Sequence, residues 1–131
     1  MLLDTSGLLC LLHRDEPPYT KAKAIYSAAT RRLTHNYVLD EFVALAHVRG
    51  LPRRAALAFS ERLLDDEKVE VVWVEEALHR NALELLLARI DKTYSLSDAV
   101  SFVLMRERGN TEALTTDRHF EQEGFIRLLA P

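Results

Sequence analysis

A chain of 131 residues, with 48% hydrophobic and 28% charged side chains, has the size and balance of one globular domain able to bury roughly two-thirds of its unfolded surface. Four glycines and four prolines exclude collagen-like and Pro/Gly-rich disordered chains, and no stretch approaches the length of a membrane span. Seventeen Lys and Arg against twenty Asp and Glu leave a formal charge of −3, which excludes a polybasic coat for nucleic acid or membrane but admits an enzyme that meets a polyanion through metal ions.

Met1–Asp4 reads as a short, buried first strand, followed by helical spacing from Thr5 to about His13. The apolar run Gly7–Leu12 is too short for a secretory leader, and the lone Cys10 inside it reads as a small core residue, so a reducing cytoplasm is the expected compartment. Asp15-Glu16-Pro17-Pro18 is a break. Tyr19–Arg32 has helix period through Ala22, Ile25, Tyr26 and Ala29, and Leu33-Thr34-His35 is a short strand. Asn36–Val48 returns to helix and is closed by Gly50 and Pro52; Arg53–Asp66 is another helix. Val69–Val74 is the clearest strand, and Glu75–Ile90 is a long helix with an acidic first turn. Ser97–Arg108 is a helix closed by Gly109. Glu112–Thr115 and Phe125–Leu128 are the last strands, with a turn of helix at Arg118–Gln122 between them. Strands alternating with helices predict a single α/β domain over residues 1–131 with a mainly parallel sheet, whose functional crevice lies beyond the carboxyl ends of the strands.

Four carboxylates fall where that crevice is expected. Asp4 closes the first strand, Asp117 follows the fourth, Asp98 opens the helix Ser97–Arg108, and Glu41 sits on the helix after the second strand. Taken singly, Asp4 and Asp117 fit helix N-caps, and Asp98 fits a first helical turn. Glu41 is harder to place on the surface, because it lies beside the apolar stripe Val38, Phe42, Leu45 and Val48; a buried Arg is its ordinary partner. As a group the four conflict. Two carboxylates about 4 Å apart repel by roughly 4 kcal/mol at an effective dielectric near 20. A divalent cation removes the conflict, and oxygen donors without His or Cys select Mg²⁺ or Mn²⁺ over zinc. That inventory suits metal-assisted hydrolysis of a phosphodiester.

Other chemistries lack their parts. The four glycines are far apart, so there is no phosphate-cradling loop, and no Gly-x-Ser-x-Gly elbow occurs. A Ser–His–Asp triad has no supporting motif, and the five histidines show no paired ligand spacing. The dispersed Arg31-Arg32, Arg53-Arg54, Arg106 and Arg108 read as solvated faces rather than an RNA track.

Four segments in order resemble the PIN-domain family, and more narrowly its VapC-type toxin ribonucleases. They are Leu3-Asp4-Thr5-Ser6, Asn36-Tyr37-Val38-Leu39-Asp40-Glu41, Tyr94-Ser95-Leu96-Ser97-Asp98-Ala99-Val100-Ser101, and Leu114-Thr115-Thr116-Asp117-Arg118-His119-Phe120 with Gly124-Phe125. The resemblance implies a three-layer α/β/α domain with a parallel sheet of about five strands. It implies a Mg²⁺- or Mn²⁺-dependent endoribonuclease, with RNA as substrate, a cognate antitoxin protein and a second copy of the chain as partners, and no membrane. It assigns Asp4, Glu41, Asp98 and Asp117 as metal-binding and catalytic acids. Ser6 supports the metal shell, Thr115 or Thr116 (Thr116 preferred) positions Asp117, Thr5 caps the first helix, and His119 flanks the site. The rival reading from another class is a non-catalytic module whose acidic edge binds a basic protein segment. A phosphatase for small phosphoesters would use similar ligands.

Overall fold

Strand period sends neighbouring side chains to opposite faces of a sheet, and β1 (Leu2–Leu3) shows this in only two residues. Leu2 joins a buried cluster with Leu33, Phe102 and Ala113, whereas Leu3 joins Leu8, Phe42 and Leu114 in the other. Two cores on two faces of one sheet mean helices on both sides.

A computed structural model describes residues 1–131. After β1 come α1 (Thr5–Leu12), α2 (Tyr19–Ala28), β2 (Arg32–His35), α3 (Asn36–Val48), α4 (Arg53–Asp65) and β3 (Val69–Val72). Then follow α5 (Glu76–Ala88), α6 (Leu96–Arg108), β4 (Glu112–Leu114), α7 (His119–Gln122) and β5 (Ile126–Arg127). The five strands form one parallel sheet in the order β3-β2-β1-β4-β5. The first core holds residues of α1 to α4, and the second those of α5 to α7, which gives the three layers α/β/α. No helix is long and apolar enough to cross a membrane.

Several segment ends differ from the sequence reading by one to four residues, and in α2 and β3 a tertiary partner overrides local period. Helix α2 stops at Ala28, since Arg32 and Leu33 are drawn into the ladder opposite Val69 and Leu2. The Arg32 guanidinium then reaches back to the Tyr26 carbonyl at 2.6 Å and lies over the Tyr26 ring. Strand β3 stops at Val72, because the Val74 N–H is taken by the Asn36 side chain at 2.7 Å. On α3 the buried face is Val38, Leu39, Phe42 and Ala46, whereas Val48 is 78% exposed, so the expected stripe does not run the whole helix.

Two glycines matter to the geometry. Gly109 ends α6 in the left-handed conformation at φ 67° that other residues resist. Gly7 packs α1 onto the end of β4: a Cβ there would stand 1.9 Å from the Leu114 carbonyl oxygen. That close approach sets Asp4, at the start of α1, beside Thr115, at the end of β4.

Candidate active site

Strand β1 is central, with β2 on one side and β4 on the other, so the carboxyl end of β1 is a topological switch point. The residue leaving β1 there is Asp4. Around it open the segments leaving β4 (Thr115–Asp117), the helix leaving β2 (Glu41 on α3) and the start of α6 (Asp98). All four carboxylates line one open depression of about 530 Å³, together with Thr5, Ser6, Thr93 and His119. A roomier hollow of about 840 Å³ lies at the opposite ends of the strands, lined by Arg31, Lys68, Glu67, Glu70 and Arg108. Its charges are of both signs, and Arg108 is paired with Glu70, so size alone does not mark the site.

Each carboxylate is held by neighbours of a different kind. Asp4 occupies the N-cap position of α1, but its side chain caps nothing. It accepts hydrogen bonds from Thr115 Oγ1 at 2.7 Å and Ser6 Oγ at 3.4 Å. Ser6 Oγ lies 3.1 Å from Thr115 Oγ1 and accepts the Thr116 N–H at 3.0 Å. The same Thr115 hydroxyl accepts the Asp117 N–H at 3.0 Å. Asp98 is half of a capping box: its carboxylate accepts the Ser95 N–H, and Ser95 Oγ accepts the Asp98 N–H, both at 3.0 Å. Asp117 accepts the His119 N–H at 2.9 Å, at the start of the short helix α7. Glu41 accepts from Thr5 Oγ1 at 3.3 Å.

The first-turn place expected of Asp98 is real and is part of a capping box, whereas Asp117, expected as an N-cap, stands one residue before the N-cap Arg118 and accepts the His119 N–H; both side chains still face the depression. The Arg expected beside Glu41 is not there. No Lys or Arg pairs with any of the four acids; His119 alone does, with Nδ1 3.1 Å from Asp98 Oδ2 and 3.4 Å from Asp117 Oδ1.

Burial without a cation has a clear electrostatic result. Asp4 is 5% exposed, and burial pushes its carboxyl up to about 7 against the pull of the Thr115 hydroxyl; the charges on Asp98 and Asp117 push the same way. Glu41 is raised by burial and by Asp98, with Thr5 opposing. Asp98 is raised by burial and by Asp117, with the Ser95 amide and His119 opposing. Carboxylates strained in this way are the donor set of a hard divalent cation, and the residues fit one. The tightest set of possible ligand atoms is Asp98, Asp117 and His119, all within 4.8 Å of one another, with Asp4 and Glu41 outside that trio.

The details correct several expectations. The side chain that bridges the acids is Thr115, fully buried, and not Thr116, which is exposed and offers only its N–H. Thr115 leaves the end of β4 fully buried, with its hydroxyl bonded to Asp4 and to the Asp117 N–H, whereas the next residue, Thr116, is exposed. Thr5 makes no side-chain cap and donates to Glu41 instead. An imidazole stands beside the oxygens, since a His119 ring nitrogen lies within 4.8 Å of Asp98 and Asp117 oxygens. Thr93, which no motif pointed to, lies 3.1 Å from His119 Nε2. A Ser–His pair does exist, Ser101 with His35 at 2.8 Å, but both are fully buried; His35 is held neutral, its pKa pushed down to about 3 by burial. It cannot reach a substrate.

The PIN domain model matches residues 1–125. The chain belongs to the PIN-domain family. It is similar to the 23S rRNA-specific endonuclease VapC20 of Mycobacterium tuberculosis, at 30% identity over 129 residues, 98% of this chain and 97% of that protein. The VapC ribonuclease of Archaeoglobus fulgidus is 31% identical over 78 residues, 59% of this chain and 48% of that protein. The crystal structure of Mycobacterium tuberculosis VapC20, a sarcin–ricin-loop-cleaving toxin, matches 95% of each chain with a TM-score of 0.87 and 30% identity. The three-layer fold and its parallel sheet are thus those of a PIN domain, and in this PIN domain the acids at the strand ends are gathered into one depression.

Proposed function

We propose that this PIN domain is a Mg²⁺- or Mn²⁺-dependent endoribonuclease that hydrolyses RNA phosphodiester bonds, and that it is the cytoplasmic toxin of a VapBC-type pair. The observation that carries the reading is four carboxylates in one depression with no Lys or Arg to balance them. Family membership and 30% identity to a 23S rRNA-specific endonuclease over nearly the whole chain support it.

Asp4, Asp98 and Asp117 would hold the divalent ion or its waters, with Glu41 as a further ligand or as the acceptor that orients the attacking water. A divalent ion bound there would supply Lewis acidity, lowering the pKa of water and offsetting charge on the phosphate. The chain supplies positions. The Thr115 hydroxyl and Ser6 hold Asp4 while the Asp117 N–H is fixed on the same Thr115 oxygen, so two acids from distant segments share one anchor. Thr5 holds Glu41 in the same way. The attacking water would bond to phosphorus and give its proton to solvent while the P–O3′ bond breaks and the departing 3′ oxygen takes a proton from solvent, so the products would be 5′-phosphate and 3′-hydroxyl ends.

Purified protein incubated with a sarcin–ricin-loop RNA, the element cleaved by the similar mycobacterial toxin, and with other structured RNAs tests the reading. Cleavage with Mn²⁺, abolished by EDTA and leaving 5′-phosphate ends, is expected. Ends bearing 2′,3′-cyclic phosphate would contradict the water attack. Binding of a basic peptide without any cutting would point to the interaction module, and hydrolysis of a chromogenic monoester but not RNA to a phosphatase. A regulatory partner that inserts a cationic side chain among these acids is the physical form an antitoxin would take, and co-expression with the neighbouring small reading frame tests it. Light scattering with the free protein tests for the homodimer.

A further inference from the structure

His119 is the one group in the depression that a four-carboxylate site does not use. Its Nδ1 lies 3.1 Å from Asp98 Oδ2 and 3.4 Å from Asp117 Oδ1. A six-coordinate ion with bonds near 2.1 Å has neighbouring donors about 3 Å apart, and both distances are close to that edge. The ring's other nitrogen, Nε2, lies 3.1 Å from Thr93 Oγ1. A ligating imidazole normally gives its second N–H to a fixed acceptor, which sets the tautomer and leaves the first nitrogen's lone pair for the metal. The Thr93 hydroxyl stands where that acceptor would be, in the tautomer that carries the proton on Nε2. The ring plane is held edge-on against Tyr94, centroids 5.2 Å apart, and the His119 N–H is tied to Asp117 at 2.9 Å. The imidazole is therefore fixed at both ends and aimed between two acids.

We propose that His119 Nδ1 is a ligand of the divalent ion held between Asp98 and Asp117, that Thr93 is its positioning residue, and that this mixed nitrogen–oxygen site takes Mn²⁺ in preference to Mg²⁺. The inference rests on the metal-dependent reading above. Its chemistry is that of donor choice: imidazole suits first-row transition ions, whereas Mg²⁺ keeps to oxygen and gives up its waters reluctantly.

The test uses the whole chain with MnCl₂ alone, without RNA. Pulsed electron paramagnetic resonance reads ¹⁴N coupling to bound Mn²⁺, and titration calorimetry reads Mn²⁺ and Mg²⁺ affinities. Wild-type protein should show ¹⁴N modulation. His119→Ala and His119→Gln should lose it and narrow the Mn²⁺/Mg²⁺ affinity ratio by about tenfold. The Gln variant keeps a polar group of similar reach in case Ala disturbs the Tyr94 contact, and circular dichroism checks both folds. Thr93→Val should keep the modulation while weakening Mn²⁺ binding by roughly tenfold. Mn²⁺ bound by the wild type and lost in Asp98→Asn, but with no nitrogen signal, would overturn the His119 assignment and leave the metal reading standing. Tighter Mn²⁺ binding in His119→Ala would also overturn it, showing the imidazole to be a cation that competes with the ion. So would loss of RNA cleavage in Thr93→Val with Mn²⁺ affinity unchanged, since Thr93, His119 and Asp98 would then be a nucleophilic relay. Wild-type protein that binds no Mn²⁺ would sink both readings together.

Discussion

Glu123, at the end of α7, and Asp4, at the end of β1, are both buried carboxylates, and the protein treats them differently. The Glu123 side chain is 3% exposed and receives Arg89 Nε at 2.7 Å, the Arg106 guanidinium, and the Tyr94 hydroxyl at 3.3 Å. Burial alone would raise its carboxyl; the hydrogen bonds from Arg106 and Arg89 outweigh burial and hold it below the usual range. Asp4 is buried with two hydroxyls and the Thr5 amide but no cation for company, and its carboxyl goes up. Burial does not separate these two acids. The missing local counter-charge does, because a buried anion without one must recruit a proton or a metal ion from outside.

The largest effect should come from Asp4→Asn. RNA cleavage should fall by at least about 100-fold, equal to roughly 3 kcal/mol of transition-state stabilisation. The melting temperature of metal-free protein should hold or rise, because repulsion is relieved. A clear fall in melting temperature would put Asp4 in the same class as Glu123. Gly7→Ala attacks geometry and leaves charge alone. Its Cβ would collide with the Leu114 carbonyl, so denaturant titration should show a loss of about 2–3 kcal/mol, as overpacking a tight contact does.

Glu123→Gln is the counterpart on the structural side. Removing the anion strands two guanidiniums; they are 40% and 45% exposed and can return to water, so the loss should be about 2 kcal/mol, below that of a fully buried pair. Cleavage per folded molecule should stay close to wild type.

The sharpest contrast is in pH dependence without metal. The folded Asp4 carboxyl sits at about 7 against 3.8 for a free one, so the folded state binds the proton more tightly. Its contribution to stability is greatest below 3.8 and declines as pH rises to about 7. Glu41 and Asp98, also raised, act in the same sense. Glu123, lowered, acts in the opposite sense: its stabilisation is present above 4.5 and is lost as pH falls below that value. Thermal melts across this range should show the decline in wild type and a flatter profile in Asp4→Asn. A profile unchanged by that substitution would mean Asp4 is ionised in the folded protein without help.

The elements were largely legible, because period and punctuation act locally. The helix that opens at Asp98, its Gly109 stop and the strand Val69–Val72 are all written within a few residues, whereas the Ser95–Asp98 capping box went unread. Four acids at strand and helix junctions were legible for the same reason, as was the family from four short segments in order. The third donor in the tightest trio was not. His119 follows Asp117 by two residues, a spacing with no ligand signature, and becomes a candidate only because α6 delivers Asp98 to the same place. Thr116 was preferred over Thr115 because linear proximity to Asp117 cannot say which hydroxyl turns inward; the contact of Thr115 with Asp4, 111 residues away in the chain, decides that. The Glu123 clamp left no trace at all, since its arginines lie 34 and 17 residues away.

The amino-acid order by itself determined the alternation of strands and helices, where most of them begin and end, and which acids stand at their junctions, since these depend on neighbours one to four residues apart. Only the tertiary structure decided that Glu123 is neutralised and Asp4 is not, and that an imidazole stands among the acids. Charge compensation depends on distance through space, and the sheet order that brings β4 beside β1 sets those distances.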